Sequence, residues 1–344
     1  MEVEHSRHII SELLELIIDN DQMDLDMVEI EGDSVFFFKP NHIPDADEII
    51  AQVKRTYIKF HEHLKLYESR RICECGACSS AASLRLKFVV DVGESETITV
   101  KESQKPFGES VIRVHRLLKN NVDSNEYVLY TSDLLDGATS AHLEDGWQNI
   151  KASFSSYDEL GRIEYKSVDL VFLKSQIQLP PPLKDGSRGI KALTENFNIK
   201  ASKEKVFEMI TNLDDRPKWN TGVDLFKYVK GQVNRVGTKH VCVIGNKTFE
   251  FETVRKEVDR GKLVYGERTT EIPVFREATT YFVIDGNGEE TNVQVEFHCE
   301  PKPIIGHLLK GYFIKKLKEG LFKNMALLKE ELEKESKPEL KTAV

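Results

Sequence analysis

Apolar positions recur at helical spacing near the start of the chain, where Ile9, Leu13, Leu16 and Ile17 predict an amphipathic helix over 5–19. Two short strands follow over 27–39 around Glu31-Gly32-Asp33, a tight-turn signal. A second helix is predicted over 45–70, with acidic residues at its positive end. A strand over 84–92, a helix over 108–120, a strand over 127–130 and a hairpin over 152–173 turning at Glu159-Leu160-Gly161 complete this half. Beyond residue 190 the rhythm changes. A strand (193–199) leads to a helix capped by Ser202, and five antiparallel strands are then predicted over 238–244, 247–258, 262–268, 277–284 and 291–299. The last element is one long helix over 304–334, with an apolar stripe through Leu308, Tyr312, Phe313, Leu317, Leu321, Met325, Leu328 and Leu332.

Between the halves lies QLPPPLKDGSRG (178–189), stiffened by proline and then loosened by glycine and serine, as linkers are. A chain of 344 residues suits two domains of about 150 residues each. The expected division is 1–175, a linker at 176–189, a second domain at 190–336 and a charged tail at 337–344. The net charge of −9, with bases scattered among acids, argues against nucleic acid as a partner. No apolar run approaches the roughly 18 residues of a membrane-spanning helix. The acidic, polar start does not read as a secretory signal, and five cysteines, three of them clustered, do not read as a disulfide framework. The cytoplasm is the expected location.

A long amphipathic helix after a run of antiparallel strands buries its stripe most economically inside a strongly curved sheet, and the imperfect closure leaves an apolar cavity. Residues 199–220, IKASKEKVFEMITNLDDRPKWN, resemble the strand, helix and tryptophan-bearing loop that open the START-like superfamily of polyketide cyclases and lipid-transport proteins (SRPBCC). The likeness extends over 190–334 and implies a helix-grip fold that binds a small apolar or amphipathic ligand, lipid-like in character. Trp219 either lines the cavity mouth or plugs sheet against helix, and Arg276 is either a polar anchor in the cavity or solvated beside Glu277. His240 and His298 have no sequence partner that suggests catalysis, so a carrier or sensor is favoured over a cyclase or hydrolase of an aromatic substrate.

In the first half, EIEGD (29–33) in a hairpin and FGESVIRVHR (107–116) on a helix resemble the class III nucleotidyl cyclase superfamily, more narrowly an uncharacterised bacterial branch of it. The resemblance implies an α+β fold of ferredoxin-like βαββαβ type, here without its first strand, which would lie upstream of Met1 if translation starts earlier. It also implies a metal aspartate at Asp33, holding Mg only if the site functions, with Glu29, Arg116 and Lys166 contacting nucleotide. Lys105 at the second base-reading position and Ile112 in place of the ribose-binding asparagine depart from the family, so a degenerate, non-catalytic domain is expected. The alternative is a guanylate or adenylate cyclase completed by an upstream strand. A homodimer is implied by the same analogy.

Cys73-Glu74-Cys75-Gly76-Ala77-Cys78 supplies three corners of a tetrahedral zinc site, with His61 or His63 as the candidate fourth ligand. A reduced loop that binds nothing, or a redox pair of Cys73 with Cys78, are the competing readings. His5 and His8, one helical turn apart among Glu2, Glu4 and Arg7, read as a solvated face.

Overall fold

The computed structural model describes residues 2–131, 134–135, 146–182 and 189–335; linker residues 183–188 and the charged tail lie outside them. It divides into two units that are not contiguous along the chain: one comprises 9–66 and 80–180, the other 1–8, 67–79 and 181–344.

The first unit takes most of α1 (Glu2–Asp19), which buries Ile9, Leu13 and Leu14. A hairpin of β1 (Asp26–Glu31) and β2 (Ser34–Phe38) turns at Gly32, whose φ of 63° favours glycine. Helix α2 (Ala46–Arg70) opens with a reciprocal cap, in which the Glu48 N–H donates to Asp45 and the Asp45 N–H to Glu48. After the short α3 (Gly76–Ser80) come β3 (Phe88–Val90), a hairpin of β4 (Glu96–Val100) and β5 (Ser103–Phe107), α4 (Glu109–Leu117), β6 (Tyr127–Tyr130) and a hairpin of β7 (Lys151–Tyr157) and β8 (Gly161–Asp169). The sheet runs β3-β6-β8-β7, with β3 and β6 parallel and the other pairs antiparallel. Ile49, Ile50, Val53 and Tyr57 of α2 pack against Val128, Tyr130, Val168 and Leu170. The alternate strand residues Leu129, Ile163 and Tyr165 bury Leu117.

This arrangement corrects the expectation of a cyclase-type βαββαβ sheet. The 26–38 hairpin forms a two-stranded sheet of its own among the described residues, and Val35 to Phe38 lie along a cavity. The β4–β5 hairpin was also not anticipated.

The second unit is built on one antiparallel sheet of seven strands in the order β10-β11-β12-β13-β14-β15-β9. These are β9 (Ile190–Ile199), β10 (Leu225–Lys227), β11 (Lys239–Ile244), β12 (Lys247–Val254), β13 (Leu263–Thr269), β14 (Phe275–Asn287) and β15 (Glu290–Pro301). Helix α5 (Lys203–Thr211) is capped by the Ser202 hydroxyl, which accepts from the Lys205 N–H, and a single turn, α6 (Arg216–Trp219), follows it. The long helix α7 (Ile305–Glu335) lies against β9 and β15. Its buried residues are concentrated in the C-terminal half, at Met325, Leu328 and Leu332. No helix among the described residues is long and apolar enough to cross a membrane.

Candidate functional site

Strand register fixes which side chains share the helix-facing surface of the large sheet. Pairing aligns Leu263, Tyr265, Glu267 and Thr269 of β13 with Ile284, Phe282, Thr280 and Ala278 of β14, and these with Val293, Val295, Phe297 and Cys299 of β15. Trp219 of α6 meets Phe282 edge-on, and Phe322 of α7 meets Phe197 of β9, so this is the side covered by helices. The surface is apolar toward β15 and polar at β13.

Glu267 is the centre of that polar region. Arg216 grips its carboxylate with both terminal nitrogens, at 2.5 and 3.3 Å, and donates its Nε to the Ile210 carbonyl at 2.9 Å. The Tyr265 hydroxyl donates to Glu267 at 2.7 Å, and His240 Nε2 lies 3.4 Å away. Arg216 is 2 % and Glu267 9 % exposed, so the pair is held almost without water. Burial raises the Glu267 pKa, but Arg216, His240 and the Tyr265 hydroxyl together outweigh it and keep the carboxyl below its ordinary value. Burial lowers His240 against the pull of Glu267, and burial with the neighbouring carboxylate raises Tyr265. The group therefore rests as carboxylate, guanidinium, neutral imidazole and phenol. Sequence reasoning missed it, because Arg216 sits in the charged run Asp214-Asp215-Arg216-Pro217-Lys218, which reads as surface. The available signal was Glu267 on the apolar period of a central strand.

Trp219 itself is 2 % exposed, donates its indole N–H to the Met209 carbonyl at 2.9 Å and stacks near the Arg216 guanidinium. Arg276 is exposed and pairs with Glu300 at 3.2 Å.

In the first unit a cavity of about 1090 Å³ opens between the β1–β2 hairpin, β3 and α4. Its walls include Phe36, Phe38, Phe88 and Val114, with Asp33 and Asp91 among the polar residues. Asp91 is held by Arg113 Nε at 2.8 Å and by the Thr131 hydroxyl. Of the residues implied by the cyclase resemblance, only Asp33 lines this cavity. Glu29 instead pairs with Lys105, whose hydrogen bond lowers the carboxyl pKa, so the two positions to which the cyclase resemblance gave base reading engage each other. Arg116 pairs with Glu159 at 2.9 Å on the surface, and Lys166 lies within β8 opposite Tyr130 and Ala152.

The cysteine cluster is assembled in the second unit. Cys73, Cys75 and Cys78 gather with His5, and their ligand atoms all lie within 4.8 Å of one another. The expected fourth partners are elsewhere: His61 Nε2 is 2.7 Å from Glu126, and His63 is 2.8 Å from Glu12. A hydrogen bond from Cys78, with His5 close by, draws the Cys73 thiol down to about 4 against burial, while Cys78 is pushed up correspondingly.

Residues 192–333 match the family described as polyketide cyclase / dehydrase and lipid transport, and the C-terminal part, an antiparallel sheet with a long helix against it, resembles the START-like helix-grip fold. Residues 10–127 match a family described as a protein of unknown function (DUF2652), which lends no support to a cyclase relationship. A Mycobacterium tuberculosis protein, described as uncharacterized protein Rv2561/Rv2562, is 32 % identical over 123 residues, 35 % of this chain. The match spans 56 % of that curated relative's length. Similar solved structures include a START superfamily protein from Mycobacterium smegmatis, 18 % identical, covering 42 % of this chain and 98 % of that one with a TM-score of 0.32. Another is TTHA0849 from Thermus thermophilus, 20 % identical, covering 42 % and 99 % with a TM-score of 0.33.

Proposed function

We propose that the protein is a non-catalytic binder whose C-terminal domain takes a small apolar or amphipathic ligand between the large sheet and α7. The family match supports a ligand-binding role. The observation that carries the finer reading is the polarity of the helix-facing surface: apolar across β14 and β15, with one fully partnered buried carboxylate at Glu267. An amphipathic molecule matches such a surface, its apolar body along β15 and its polar end near Tyr265 and His240. Access is at the start of α7, where Ile305, Leu308 and Tyr312 are exposed while the far half of the helix is anchored.

Turnover of an aromatic substrate is the weaker reading. A general acid or base needs a proton to give or a free lone pair to take one, near working pH. Glu267 is locked as a carboxylate by Arg216, and Tyr265 is driven away from ionisation. That chemistry suits an anchor better than a proton relay.

Native mass spectrometry of the full chain purified from cells tests the proposal and reads monomer against dimer in the same spectrum. A co-purified mass of lipid size, lost on denaturation and displaced by a fluorescent fatty acid that binds saturably, is the expected result. No adduct together with no saturable probe binding would overturn it, as would measurable turnover of the bound molecule.

A further inference from the structure

We infer that His5, Cys73, Cys75 and Cys78 form a closed, structural zinc site that clips the first turns of α1 to the 67–79 segment.

The ligand chemistry points to zinc. A tetrahedral ion with Zn–S near 2.3 Å and Zn–N near 2.0 Å sets neighbouring ligand atoms roughly 3.5–3.8 Å apart. His5 Nδ1 lies 3.5 Å from Cys75 Sγ and 3.3 Å from Cys78 Sγ, close to that spacing. Backbone N–H groups already turn toward two of the sulfurs, as they do around bound thiolate ligands: the Cys75 N–H points at Cys73 Sγ at 3.4 Å, and the Cys78 N–H at Cys75 Sγ at 3.5 Å. Cys73 and Cys78 are 3 % and 1 % exposed. Three soft thiolates and one imidazole, largely buried, fit a borderline-soft ion with four protein ligands and leave no corner for water or substrate. This is a holding site, not a reacting one.

Its surroundings are built for the same purpose. The 67–79 segment is fixed to the 235–236 loop by a β-bridge between Arg71 and Arg235 and by the Val236 N–H donating to the Arg70 carbonyl at 2.8 Å. The Arg235 guanidinium lies 5.0 Å over the Tyr67 ring. At Gly76 a Cβ would stand 2.1 Å from the Glu2 carboxylate, so the start of α1 sits directly on the knuckle. An ion here joins residue 5 to residues 73–78, two segments far apart along the chain.

The test uses the full chain, purified anaerobically. Elemental analysis should return one zinc per chain. Replacement by cobalt should give the intense visible bands of a tetrahedral ion with thiolate charge transfer. Cys78→Ser should weaken cobalt binding and lower the charge-transfer intensity per bound cobalt, and His5→Gln should weaken cobalt binding at least tenfold, whereas His8→Gln should match the wild type. A strong chelator should lower the melting temperature of the unmodified chain, and zinc but not magnesium should restore it, a readout that does not depend on any variant folding. The inference is overturned by metal-free protein that gives only the weak bands of octahedral cobalt, by a disulfide among the three cysteines, or by equal affinity of His5→Gln and His8→Gln.

Discussion

Replacing Arg216 with methionine keeps an unbranched apolar stem and removes the charged guanidinium, leaving Glu267 as a buried carboxylate without its ion-pair partner. Both partners are almost excluded from water, so the Coulombic partner is lost without solvent to replace it. Breaking such a pair costs about 3–5 kcal/mol. At about 2–4 °C per kcal/mol for a unit of this size, that is a fall in melting temperature on the order of 6–20 °C. Acid reverses the penalty. In the wild type Glu267 titrates below its ordinary 4.5, so its contribution is complete above 4.5 and fades as pH falls below it. In Arg216→Met the desolvated carboxyl titrates above 4.5, and its penalty begins to fall as pH drops through that raised value and is gone below 4.5. The gap between the two proteins should therefore narrow from about pH 7 to about pH 5. Adding Glu267→Gln, which preserves an acceptor for Tyr265, should recover more than half of the loss. Urea melts followed through Trp219, which sits beside the guanidinium, report directly once Trp147 is replaced by phenylalanine. A loss under about 1 kcal/mol at neutral pH, the range of an exposed ion pair, or a gap of equal size at both pH values, refutes the reasoning.

Three further outcomes are expected. Burial opposes ionisation of Glu296, but Lys256 at 2.7 Å, His298 at 3.0 Å and Lys191 at 3.1 Å bring it to about 2; its stabilisation is full above 4.5 and lost as pH falls toward 2, so Lys256→Met should move the midpoint of an acid-unfolding curve to higher pH. His61 is lowered to about 4 by burial against the pull of Glu126, so the stability it confers as a neutral ring is present above 6.5 and lost as pH falls from 6.5 through 4; His61→Phe should flatten the calorimetric stability of the first unit across that window. Leu328, fully buried on α7, should cost about 2–5 kcal/mol when cut to alanine, whereas Leu308→Ala, at an exposed position on the same helix, should stay within about 0.5 kcal/mol in a urea melt.

The second domain was legible because each element states its own period. The α7 stripe and the inward alternation of β13 to β15 need no knowledge of distant residues, and glycine turns such as Gly245 and Gly261 mark where strands end. Strand β10 escaped notice because three residues are too few to establish a period. The β4–β5 hairpin was obscured by its turn, which places Lys101 rather than glycine at positive φ, and by strands so exposed that no apolar face stands out. The sites were harder, because their chemistry is pairwise across long stretches of chain. Arg216 finds Glu267 only through the meeting of α6 and β13. His5 was visible, but its polar neighbours mark it as solvated, and nothing near it in sequence announces cysteines nearly seventy positions away. His61 and His63 were nearer in sequence and were taken up by Glu126 and Glu12 instead.

That neither unit is continuous along the chain imposes an order on its birth at the ribosome. Residues 1–8 and 67–79 are made early, yet they belong with a body whose strands follow residue 189. The loop at Arg235 and Val236 that fixes the 67–79 segment emerges after well over a hundred further residues, a delay of ~10–30 s at ordinary elongation rates. Throughout that interval three thiols and a histidine are exposed on an unfinished protein, open to oxidation or to the cell's metal supply before the scaffold that buries them exists. Synthesis therefore sets a window, ahead of the finished fold, in which this cluster meets oxidant or metal unprotected.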